Sequence, residues 1–310
     1  MTRRTVPLAL LVVATLLAAA PVARATTAGH NGLIAFHSQT PAGSQIFTVR
    51  PNGRDLRQIT HVAGDAISAD WSPDGRRIAF EIDTEESATV AIMNADGSGL
   101  KTVPGIGRFN GDASFTPDGR RVVYGFFNDE HGGVASMRLD GSDQRKLLAD
   151  DTVEDPNVSP DGRRISLTCI DVPLVLHALC TMPAAGGSPT AITPFTINVG
   201  AKSDWAPDGR ELVFTDHADL PNPGDSANVG VVRPDGTRRH LLTHFSGGET
   251  NAFAGSYSPD GRYVVFRLED QGRFGLYRMR RDGSHVRAIL PLSDFAPRFI
   301  DWGPRPKRHH

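Results

Sequence analysis

Only two of the 310 residues are cysteine, Cys169 and Cys180, and no CxxC spacing occurs, which excludes a cysteine-framed metal site. Beyond residue 20 no apolar run approaches the roughly 20 residues that a spanning helix needs, so no transmembrane segment is expected after the leader. An excess of basic charge is lacking too, with 33 Lys+Arg against 35 Asp+Glu, leaving no general electrostatic reason to hold nucleic acid. The G-x-S-x-G elbow, the H-E-x-x-H pair and the P-loop are all absent, and no catalytic residue is assigned.

What is present begins with a leader. Arg3-Arg4, an apolar run from Val6 to Ala20 and the A-x-A ending Ala23-Arg24-Ala25 read as a secretory signal peptide over residues 1–25. A retained anchor helix is the alternative. The paired arginines fit a twin-arginine signal weakly, and ordinary export to the periplasm or the outside of the cell is expected. Removing the leader leaves a formal charge of −5. Export permits a disulfide. Cys169 and Cys180 fall on two strands joined by a short turn, Ile165–Ile170 and His177–Met182, which could set the sulfurs opposite each other. Buried free thiols are the other reading.

One phrase returns five times: Asp70-Trp71-Ser72-Pro73-Asp74-Gly75-Arg76, then Ser114–Arg120, Asn157–Arg163, Asp204–Arg210 and Ser256–Arg262. The aspartates in it are 44, 43, 47 and 52 residues apart. Pro presets φ, Asp bonds its own backbone and Gly accepts positive φ, so the phrase makes a tight turn between strands. A β-rich run follows each copy, such as Ile78-Ala79-Phe80 or Val264-Val265-Phe266. A second strand–turn–strand phrase lies about 20 residues later, giving four strands per unit, the pattern of propeller blades. It occurs six times. The missing first strand is at the C-terminus, Phe299–Pro304, and what should follow it is at the N-terminus, Asn31–Phe36. The expected fold is therefore all-β: a six-bladed β-propeller of four-stranded antiparallel blades over residues 30–304. It is closed by pairing the N-terminal strands with the C-terminal one and followed by a basic tail, 305–310. A linear solenoid competes, but it would need capping repeats rather than complementary ends.

The Trp-Ser-Pro-Asp-Gly-Arg phrase with its later Asp-Gly turn resembles the WD40-like (PD40) repeats of the TolB-like propellers. That resemblance implies a bare propeller, not TolB itself, since the extra α/β domain of TolB and the hydrolase domain of prolyl oligopeptidases have no room here. Some TolB-like propellers are sugar-acid lyases with a metal at the channel mouth, and the resemblance admits such a site.

Blade topology puts the regular Pro-Asp-Gly and Asp-Gly turns on one face and the variable loops on the other, where function usually lives. The variable segments are acidic, with Glu81, Asp83, Glu85 and Glu86 in one and Asp150, Asp151, Glu154 and Asp155 in another. Asp129, Glu130 and His131 form a third group, and Asp216, His217, Asp219 and Asp225 a fourth. The fourth carries ligands suited to a hard cation such as Ca²⁺, though not at EF-hand spacing. Glu249 lies in the long segment His244–Gly255. These residues are the expected binding surface. Asp70, Asp204 and Asp301 precede the three tryptophans on innermost strands, where they line the channel or brace it. The expectation is a monomeric, non-catalytic scaffold for a protein, peptide, saccharide or small ligand in the envelope, with no required cofactor; a divalent cation is admitted. A metal-assisted carbohydrate lyase or hydrolase at the channel mouth is the alternative.

Overall fold

The computed structural model describes residues 29–129, 131–200, 202–217 and 225–306. The expected leader, Glu130, Asp219 and the tail beyond 306 lie outside the described residues.

Apart from one 3-10 turn (Phe195–Ile197), the regular elements are strands. The chain opens with β1 (Asn31–Thr40), β2 (Gly43–Val49) and β3 (Arg57–Gln58). Next come β4 (Asp65–Trp71), β5 (Arg77–Asp83), β6 (Ala88–Asn94) and β7 (Lys101–Val103). Then follow β8 (Phe109–Phe115), β9 (Arg121–Phe127), β10 (Gly132–Arg138) and β11 (Arg145–Ala149). The fourth group is β12 (Val153–Val158), β13 (Arg164–Asp171), β14 (Leu176–Pro183) and β15 (Thr190–Ala191). The fifth is β16 (Asp204–Trp205), β17 (Leu212–Asp216), β18 (Asn228–Val232) and β19 (His240–Leu241). The last is β20 (Thr250–Tyr257), β21 (Tyr263–Asp270), β22 (Arg273–Arg280) and β23 (Arg287–Ser293), after which β24 (Arg298–Pro304) pairs antiparallel with β1.

These strands make an all-β propeller of antiparallel four-stranded blades. Four sheets are separate quartets: β24-β1-β2-β3, β12–β15, β16–β19 and β20–β23. The expectation of six separate quartets departs from the structure at β4–β11, which form one eight-stranded sheet. The cause is local. The link after β7 is short and returns Arg108 beside Ala88, whose N–H donates to the Arg108 carbonyl at 3.3 Å. One parallel bridge, Ala88 to Phe109, then joins β6 to β8.

The repeated turns explain the blade edges. Gly75 N–H donates to Ser72 O at 2.8 Å, and Asp74 Oδ1 accepts from Ser72 Oγ and Arg76 N–H. The same two contacts recur around Asp118, Asp161 and Asp260. Apolar side chains of each strand quartet meet those of the next. One such cluster joins Ala79 and Val90 to Phe115 and Tyr124; another joins Val265 and Leu276 to Phe36 and Trp302. Burial of this kind contributes roughly 25 cal/mol per Å² and is the main stabilising term.

Cys169 and Cys180 form a disulfide with Cα atoms 6.0 Å apart, but not as a directly opposed pair. Cys169 faces Ala178 and Cys180 faces Leu167, so the bridge runs diagonally across the hairpin. Strands β13 and β14 run to Asp171 and from Leu176, longer than the sequence pattern marks.

Candidate functional site

The innermost strands β4, β8, β12, β16, β20 and β24 each touch the next, and β24 touches β4. One position of the repeat joins them. Asp70 Oδ2 accepts from Phe115 N–H at 2.9 Å, Ser114 Oγ from Val158 N–H at 3.2 Å, and Asp204 Oδ2 from Tyr257 N–H at 2.9 Å. Ser256 Oγ accepts from Trp302 N–H at 2.7 Å and Asp301 Oδ2 from Trp71 N–H at 2.8 Å. Asn157 reverses the sense, with Nδ2 donating to Ser203 O at 3.1 Å. These six side chains form a bracing ring, and Asp70, Asp204 and Asp301 belong to it while also lining a small cavity of about 20 Å³.

Two residues upstream the strands bulge. Register shifts separate Ile67 from Asp70, Gly111 from Ser114 and Glu154 from Asn157. Ser68, Asp112 and Asp155 take positive φ of 55°, 49° and 52° there, and Phe299 stands at 47°. Each such non-glycine residue costs on the order of 1–3 kcal/mol, and bulges of this kind re-aim side chains. Ser68, Asp112, Asp155 and Phe299, together with Lys202, line a second small cavity of about 30 Å³.

A third set comes from the second strand of each quartet. Glu81 Oε2 accepts from Asp112 N–H at 3.3 Å, Thr215 Oγ1 from Ala254 N–H at 2.9 Å, and His37 Nδ1 from Ser68 N–H at 3.4 Å. Arg267 holds the matching place on β21.

The electrostatics are those of crowded, poorly solvated carboxyls. Burial, then the Asp112 and Asp83 charges, pushes Glu81 up to about 8. Burial and Asp301 push Asp204 up to about 7 and Asp70 well above the usual range. Burial, then Asp112 and Glu154, raises Asp155, and burial raises Asp112. Burial opposes the charge on Lys202, but Asp301, Asp70, Asp204 and Asp155 outweigh it and raise its pKa. The opposite wall has the other sign: burial, then Arg298, lowers Arg267 to about 10 and His37 to about 4.

The expected site residues divide accordingly. Glu154 and Asp155 stand on β12 at the channel rather than in a loop, and Glu81 stands on β5. Asp216 is buried and paired with His217 and, at 3.2 Å, with Arg239, so the loop acid read as a cation ligand is an internal counter-ion. Asp225 and the exposed Glu249 flank that region. Asp129 is exposed and lies 3.6 Å from Arg108, with His131 beside it. Among the described residues no three His, Cys, Asp or Glu side chains stand together in metal-ligating geometry. Asp112, Lys202, His37 and Arg267 are absent from the sequence-based set. The signal that could have found His37 and Arg267 is an ionisable residue at one place in three of the six apolar runs, Phe36-His37, Phe80-Glu81 and Phe266-Arg267.

Residues 25–171 match the family model of PD40, the TolB beta propeller domain. An uncharacterised protein of Agrobacterium fabrum is 30% identical over 152 residues, 49% of this chain and 46% of that protein. The Tol-Pal system protein TolB of Anaeromyxobacter dehalogenans is 33% identical over 95 residues, 30% of this chain and 20% of that one. The aligned part is thus less than half the length of the curated relatives it matches. In three dimensions the chain is similar to TolB from Acinetobacter baumannii, with TM-score 0.72 and 20% identity over 88% of this chain and 67% of that one. At that identity the likeness shows the fold alone.

Proposed function

We propose that this chain is an exported TolB-like propeller of six blades, with β24 and β1–β3 as the closing blade. In this reading it is a non-catalytic scaffold that holds a cationic segment of a protein partner at its channel mouth. Three features support six blades: the joint between β4–β7 and β8–β11 is a single parallel bridge, the bracing ring has six members, and β20 touches β24. The TolB relatives are named as Tol-Pal system proteins, which favours an envelope setting and a protein partner. The leader over residues 1–25 accounts for export.

The observation that carries the binding role is the set of strained bulges that place Asp112 and Asp155 at the second cavity beside Lys202, with Glu81 and Glu154 near them. Lys202 supports that reading, as a primary ammonium whose charge Asp301, Asp70, Asp204 and Asp155 favour. Because burial raises the pKa of these carboxyls, a bound cation lowers it again and binding is linked to proton release. The test is calorimetric titration with a decapeptide of alternating lysine and glycine at pH 6 and pH 8. The expected result is tighter binding at pH 8 with release of protons; no binding at either pH overturns the reading.

A further inference from the structure

Arg267 stands on β21 at the place that His37 holds on β1 and Glu81 on β5. Its side chain is nine-tenths buried and its Nε–H has no hydrogen-bond partner. The guanidinium lies 3.9 Å from the ring centroid of Phe253 and 5.7 Å from that of Phe274. Its ion pair is a single contact to Glu269 at 3.4 Å, a poor match for a planar fork of donors. A second guanidinium, Arg298, is close enough to depress Arg267, is exposed, and has no ion pair among the described residues. Arg298 is also the strand partner of His37, whose ring stacks on Phe299 at 5.4 Å and which burial keeps neutral.

A buried guanidinium usually has a hydrogen-bonded counter-ion, since leaving a charge poorly compensated is costly. Here the two aromatic rings fix the plane of Arg267, while Glu269 covers one edge of it. Two neighbouring guanidiniums of which one is preorganised by stacking form a receptor for a planar, bidentate anion. We infer that Arg267 and Arg298 bind a carboxylate at the channel mouth. Arg298 is the accessible donor and Arg267 the positioned one. The inference deepens the reading of the mouth as a binding surface. With an ammonium cage on one wall and this corner on the other, the ligand fitted best is a polypeptide segment carrying both charges.

The test follows the Nε–H resonance of Arg267 in protein labelled with ¹⁵N-arginine while acetyl-diglycine is added, with its C-terminal amide and sodium chloride at equal ionic strength as comparisons. The expected result is a saturable shift with the free acid and none with the amide. Arg298→Gln should weaken the acid by about fivefold or more while leaving lysine–glycine peptide binding unchanged. An equal response to chloride, or an acid affinity untouched by Arg298→Gln, overturns the carboxylate site. Because the lysine–glycine peptide is used as its C-terminal amide and so reports the opposite wall, its binding can fail or survive independently. Arg267→Lys keeps the charge but loses the fork, and should weaken the acid without lowering the melting temperature as far as Arg267→Ala.

Discussion

Two rings on the same innermost strands sit two residues apart and behave oppositely. In the bracing ring, Asp70, Ser114, Asp204, Ser256 and Asp301 each accept a backbone N–H from the next strand, with ordinary backbone angles. In the bulge ring, Ser68, Asp112, Asp155 and Phe299 take left-handed angles. Their cavity carries carboxyls whose ionisation burial resists. The first ring uses polar groups to satisfy the backbone; the second accepts strain and desolvated charge to present side chains to a cavity. A repeat built for a scaffold therefore becomes a site by a shift of register within one strand.

The largest expected effect comes from Glu81, which stands behind the bulge ring. The folded state holds its carboxyl up to about 8 against an ordinary 4.5. Between those values the folded protein keeps a proton that the unfolded chain has lost, so stability falls as pH rises through the window. Glu81→Gln should change little at pH 4.5 and be more stable than the parent at pH 8 by about 3 kcal/mol, allowing for partial exposure. Urea denaturation at the two pH values measures it.

Ser256→Ala attacks the bracing ring instead. It leaves the N–H of buried Trp302 without its acceptor. A loss of about 2 kcal/mol is expected at every pH, read as a lower midpoint with an unchanged slope.

The wall opposite the carboxylates gives the reverse pH limb. His37 is lowered from 6.5 to about 4, so the unfolded chain takes up a proton first as pH falls and stability drops between those values. His37→Gln should flatten that acid limb by about 2 kcal/mol in melts from pH 7 to pH 4. The smallest effect is Asp112→Gly, which relieves a positive φ and removes a desolvated acid. A gain of about 1 kcal/mol near pH 8 is expected, and a loss would mean that Asp112 braces rather than presents.

The blade pattern was legible because Pro-Asp-Gly turns and β-rich runs are local signals. The bracing position was partly legible too, since Asp70, Asp204 and Asp301 precede the tryptophans at a fixed place in the repeat. The bulges were not. Nothing in the residues around Asp112 or Asp155 announces a register shift, which depends on the partner strand. The same ignorance of partners put Glu81 in a loop and read Asp216 as exposed, when Arg239 and His217 enclose it. The doubled sheet at β4–β11 arises from the length of one link and the approach it allows, neither of which a repeat alignment weighs.

The measurement that separates the rings most directly is titration of the lysine–glycine decapeptide into the parent protein, Ser256→Ala and the double variant Asp112→Asn/Asp155→Asn at pH 8. The account predicts that Ser256→Ala binds as the parent does despite its lower stability. The double variant should lose about tenfold or more in affinity, roughly 1.4 kcal/mol, while remaining at least as stable. Unchanged affinity in the double variant, or a loss that follows stability rather than the bulge ring, would contradict it.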